Sequence, residues 1–111
     1  MDSNGIVELV KDLEAEVNNG GFHQYFDNSS GDNAAETVEA LETIGALNVA
    51  GILKRAISRF EGNNVPKQRS VRLAVLWNRF PETDKFYDLD AEFLAYPDDL
   101  SALLLKYKGN A

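Results

Sequence analysis

A single histidine, His23, stands four residues before Asp27 in the stretch NGGFHQYFDNSSGD, Asn19 to Asp32. On a helix that spacing puts an imidazole and a carboxylate on one face, as in a base with its orienting acid or half of a metal site. The sequence does not supply the other half. The nearest hydroxyls, Ser29 and Ser30, lie in an apparent turn and belong to no nucleophile motif. A helix-end histidine with a local Asp27 hydrogen bond is the reading expected, and a hydrolase or small-ligand site at His23 and Asp27 is a distant alternative. The chain has no cysteine, so disulfides, thiolate chemistry and cysteine zinc sites are excluded. DLDAE, Asp88 to Glu92, resembles the start of a calcium loop, but Phe93 stands where such a loop needs glycine. Neither phosphate-binding glycine pattern is present. No catalytic residue, metal or cofactor is expected.

Carboxylates in rows are the stronger signal. Glu8, Asp12 and Glu16 recur every four residues, and Asp32, Glu36, Glu39 and Glu42 follow a similar helical spacing. Like charges at these spacings destabilise an isolated helix by roughly 0.2–0.5 kcal/mol per pair. The net charge is −7, unevenly spread. Met1 to Ala50 holds ten acidic residues against Lys11, a balance of −9. Gly51 to Phe80 holds seven Lys or Arg against Glu61, a balance of +6. Such a chain is expected to avoid bare nucleic acid and anionic membranes, and to favour a basic protein partner. The rows are either ordinary solvated faces, partly neutralised by the Arg-rich stretch, or a surface presented to that partner. A nucleic acid also offers rows of negative charge, about one per 3.4 Å along each strand.

The elements that must carry these residues read as helices. Ile6, Leu9, Val10, Leu13 and Val17 mark one face of a helix from about Asn4 to Val17, which NNGG is expected to stop. Phe22, Tyr25 and Phe26 fall on one side of a short second helix, so their rings are expected to be buried. Asn33 and Glu36 look like a capping pair for a third, about Asn33 to Gly45. Val49, Ile52, Leu53, Ala56, Ile57 and Phe60 outline a fourth. Pro66 suits the first turn of a fifth, with Leu73, Leu76, Trp77 and Phe80 as its apolar stripe and Lys67, Arg69, Arg72 and Arg79 carrying its charge. Pro81 stops it. Phe86, Leu89 and Phe93 suggest a sixth, and Pro97 restarts a seventh with Leu100, Leu103, Leu104 and Tyr107 inward. No segment alternates as a strand would. The expectation is an all-α fold, a single compact domain of about six or seven short helices, 1–111. No signal peptide and no apolar run long enough for a bilayer is seen, so a cytoplasmic protein is expected.

The stretch EVNNGGFHQYFDNSSGD resembles the signature of a bacterial family of small helical proteins named after an acidic DNA mimic. The likeness continues through ETVEALETIGA, VPKQRSVR and FYDLDAEFLAYPDDLSALLLKY, nearly the whole chain. The resemblance implies a non-enzymatic protein whose acidic surface imitates duplex DNA and occupies a helix-turn-helix-type transcription factor, and it implies a homodimer. The matching residues Asn19, Gly20, Gly21, Phe22, Gln24, Tyr25, Phe26, Asn28, Ser29, Ser30 and Gly31 read physically as fold-forming. Contact residues are expected instead among Glu8, Asp12, Glu16, Asp32, Glu36, Glu39 and Glu42. The alternative is an immunity-like or regulatory interaction domain that recognises its partner through apolar contacts.

Overall fold

The computed structural model describes residues 2–80 and 86–109. It is built from six helices: α1 (Ser3–Asp27), α2 (Ala34–Thr43), α3 (Leu47–Ser58), α4 (Arg69–Arg79), α5 (Tyr87–Leu94) and α6 (Leu100–Gly109). Two short 3-10 turns, Ser29–Asn33 and Glu61–Asn63, join α1 to α2 and follow α3. No strand occurs among the described residues. The all-α expectation holds, and the radius of gyration of 13.5 Å is that of one globule.

The first two expected helices are one. NNGG bends α1 and does not end it: Gly20 and Gly21 leave helical geometry, and the chain resumes as helix through Asp27. Gly21 sits at φ 76° and ψ −174°, a region essentially reserved for glycine. The Phe22 N–H at the bend is donated to Asp90 Oδ1 of α5 at 2.8 Å. A methyl on Gly21 would meet Asp90 Oδ2 at 2.3 Å, so this glycine serves both the turn and the close approach.

Beyond the bend, Phe22, Tyr25 and Phe26 are buried as expected, at 0%, 1% and 0% exposure. They open a cluster holding all six phenylalanines of the chain. Phe26 meets Phe60 at 4.9 Å between centroids, Phe80 meets Phe86 at 4.9 Å, and Phe22 meets Phe93 edge-on at 5.9 Å. Tilted and edge-on pairs of this kind add about 0.5–1.5 kcal/mol each beyond the area they bury. The ends of α3 and α4 and the whole of α5 are thereby gathered on the second half of α1. The first half lays Ile6, Val10, Leu13 and Val17 into the same core.

Several boundaries differ from expectation. Asn33 makes no side-chain cap on α2; it ends a 3-10 turn that runs straight into the helix, and its carbonyl accepts from Thr37 Oγ1. Glu36 turns to Lys67 instead of reaching back. Helix α4 starts at Arg69, after Pro66, because the Pro66 and Lys67 carbonyls are turned towards Arg72. Its expected stripe is rotated: Leu76 and Phe80 are buried, Leu73 is half-buried, and Trp77 is 52% exposed. Helix α6 begins at Leu100, past Pro97, and Asp99 Oδ1 accepts from Ala102 N. Pro81 lies outside the described residues.

Candidate functional site: an acidic face and a buried arginine

The last turn of any α-helix leaves carbonyls without partners, and burying them unpaired is costly. At the end of α1 each one is met. Asn28 N bonds the Gln24 carbonyl, Ser30 Oγ that of Tyr25 (2.9 Å), Arg72 Nε that of Phe26 (2.7 Å) and Arg69 Nε that of Asp27 (2.8 Å). Two arginines, three residues apart on α4, thus close the negative end of α1, where the helix dipole favours a cation. Arg72 is fully buried. Its Nη2 also bonds the Asn28 carbonyl, and its Nη1 bonds the carbonyls of Pro66 and Lys67. Its charge faces Asp32 Oδ1 at 2.7 Å, an ion pair without the alignment of a hydrogen bond.

The signature residues build this cradle. A methyl on Gly31 would sit 2.8 Å from Arg72 Nε and 2.9 Å from the Phe26 Cα, so only glycine lets the turn close over the guanidinium. Gln24 Nε2 and Asn28 Nδ2 both donate to Glu16 Oε2, at 2.7 and 3.0 Å, bracing the two halves of α1 across the bend. Gly20, Phe22, Tyr25, Phe26 and Ser30 belong to the bend, the core or the carbonyl caps, whereas Asn19 and Ser29 are exposed.

The seven carboxylates expected on the surface fall into two groups. Four are engaged within the chain: Glu16 as above, Asp32 with Arg72, Glu36 with Lys67 and Glu42 with Lys54. Glu8, Asp12 and Glu39 are exposed. Asp12 is pushed above its ordinary value, first by partial burial and then by Glu8 and Glu16. Tyr25 donates to Thr37 Oγ1 at 3.1 Å, and its hydroxyl is pushed up to about 12, chiefly by burial, with Glu36 and Asp12 adding to the rise. Helices α1 and α2 pack directly on each other, and one carboxylate from each, Asp12 and Glu36, acts on this hydroxyl.

A model for a family described as DMP19-like protein matches residues 6–109. The chain belongs to the DMP19-like family. Comparison with curated proteins and with solved structures finds no significant match.

In this DMP19-like chain the other acidic stretch, Asp88 to Glu92, is bound up in the fold. Arg59 pairs with Asp88 and Arg55 with Glu92, holding both carboxyls below the usual range, while Asp90 receives the Phe22 N–H. His23 is buried edge-on against Trp77, with centroids 4.6 Å apart at 72°, and the Trp77 indole N–H is donated to Asp27 Oδ1 at 3.3 Å. Trp77 of α4 thus touches both His23 and Asp27, the two residues that the helical spacing set on one face. Among the described residues no group of three His, Cys, Asp or Glu is placed to hold a metal, and no helix is long and apolar enough to cross a membrane.

Arg72, Asp90 and Trp77 have roles that residue spacing alone does not show. Arg72 did leave a signal: residues 72, 76 and 80 recur every four positions, so it shares the face of Leu76 and Phe80. Asp90 left none, since its partner lies 68 residues away.

Proposed function

We propose that this protein is a non-enzymatic binding module whose acidic α1–α2 face engages a basic, DNA-binding protein, in the manner of a DNA mimic. The reading is carried by the packing of α1 against α2 with Glu8, Asp12 and Glu39 of those two helices left exposed. The DMP19-like membership and the acidic first half of the chain support it. A rigid pair of packed helices with carboxylates in rows offers closely spaced negative charge to a surface built to receive phosphates. The partner's own DNA would compete for that surface. Binding through exposed charges weakens steeply with salt, because screening acts within about 8–10 Å at physiological ionic strength.

The test is a pull-down from lysate of the source cell, with and without excess duplex DNA, followed by a salt titration on the captured partner. Displacement by the duplex together with a steep salt dependence is the expected result. A duplex-indifferent affinity, flat with salt and unchanged in a Glu8→Gln, Asp12→Asn, Glu39→Gln variant, would exclude mimicry. That outcome would favour the second reading, an interaction domain using apolar contacts. The engagement of four of the seven carboxylates within the chain speaks for the second reading.

A further inference from the structure

We propose that Trp77 and Asp27 form a seat for an arginine side chain of the partner, an inference that rests on the reading of this protein as a binder of basic proteins. Trp77 is the only tryptophan of the chain and is 52% exposed. Its ring is nonetheless held in place, with His23 against one side and the indole N–H on Asp27 Oδ1. A ring fixed at the junction of two helices loses little freedom on binding, and tryptophan is among the residues that dominate interface energetics. Among the described residues, the cations that lie over rings are Arg59 over Phe86 and Arg79 over Phe80, and none lies over Trp77. Arg69 has its Nε on the Asp27 carbonyl.

An open indole beside a half-buried carboxylate suits one ligand chemistry in particular. A guanidinium can lie flat on the ring while its N–H groups reach the carboxylate, which an ammonium satisfies less well. The net charge of −7 draws cationic chains towards the surface, and Trp77 with Asp27 gives one of their side chains a defined place.

With a single tryptophan, emission reports this seat alone. The experiment titrates the full chain at low salt with hexa-arginine, hexa-lysine and the uncharged hexa-citrulline, following Trp77 emission and calorimetric heat together. Saturable emission change with hexa-arginine, a smaller one with hexa-lysine and none with hexa-citrulline is expected. Asp27→Asn, which keeps an acceptor for the indole N–H and removes the charge, should weaken hexa-arginine binding by about fivefold or more. Trp77→Leu should weaken it similarly by calorimetry, and Trp77→Phe less, with melting curves confirming that each variant is folded. Calorimetric binding that leaves Trp77 emission unchanged, or that vanishes in the Glu8, Asp12, Glu39 variant and survives Asp27→Asn, would overturn the seat while leaving the basic-partner reading intact. No binding of any cationic peptide would count against both. Emission that varies with protein concentration alone would make the occupant a second copy of the chain and would also overturn the proposal.

Discussion

The bend-and-cradle region, Gly20 to Asp32, and the α1–α2 acidic face lie within a few turns of each other and are specified in opposite ways. In the first, nearly every residue has a geometric task. Gly21 makes room for Asp90, Gly31 for Arg72, Gln24 and Asn28 hold Glu16, and the carbonyls meet Arg69 and Arg72. In the second, Glu8, Asp12 and Glu39 are exposed side chains that their positions tolerate without requiring. A change in the cradle should therefore be read out as lost stability, and a change on the face as altered binding with the fold unharmed. A family signature drawn from such a molecule describes its architecture first.

This contrast leads to graded expectations. Arg72→Met strands the Phe26, Asn28, Pro66 and Lys67 carbonyls that the buried guanidinium meets. At roughly 1–3 kcal/mol for each acceptor left unsatisfied and buried, it should cost about 3–5 kcal/mol in chemical denaturation. Phe26→Ala, at the centre of the ring cluster, should cost a similar ~3–5 kcal/mol if the site cannot collapse. A loss below about 1 kcal/mol in either, typical of a surface substitution, would erase the distinction between the regions. Gly21→Ala should cost roughly 1–3 kcal/mol, because the new side chain would hold a glycine-only conformation and press on Asp90. On the face, Asp12→Asn should stabilise the protein slightly, by about 0.2–0.5 kcal/mol, through relief of repulsion from Glu8 and Glu16.

Acid titration separates the two kinds of carboxylate further. Asp12 titrates above its ordinary value in the fold, so the native state holds its proton more tightly than the unfolded chain does. Its contribution to stability therefore improves as pH falls through the raised value towards the ordinary range. Asp88 and Glu92 titrate below theirs because of the hydrogen bonds from Arg59 and Arg55. They stabilise the fold above the ordinary carboxylate range, and that contribution is lost as pH falls through the lowered values. Unfolding curves collected between about pH 3 and pH 6 should show Asp12→Asn and Asp88→Asn altering the slope in opposite senses. Slopes that move together would mean that Asp12 is not held above its ordinary value by burial and by Glu8 and Glu16.

Helices were readable from periodicity wherever an apolar face repeats over three turns, as in Ile6 to Val17 and Val49 to Phe60. What escaped was decided by distant partners. NNGG looks like a stop until Asp90 arrives to receive the Phe22 N–H. Arg72 looks like a solvated cation among Lys67, Arg69 and Arg79 until the orphan carbonyls of α1 are counted. Trp77 looks like core by type, but the core takes the side of α4 that holds Arg72 and Leu76. The acidic rows were readable as rows. Which members would find internal cations was not, because Lys54 and Lys67 come from elements packed across the fold.

The bond from the Phe22 N–H to Asp90 also gives the bend a clock. A helix usually frays at a glycine pair, and amides there exchange with solvent on their own. Here the acceptor belongs to a segment 68 residues away, so this one amide is held by α5 as well as by its own helix. Its deuterium uptake should follow the opening of the whole assembly, as slowly as the ring cluster beneath it comes apart. A hinge in sequence would then be among the last places to give way.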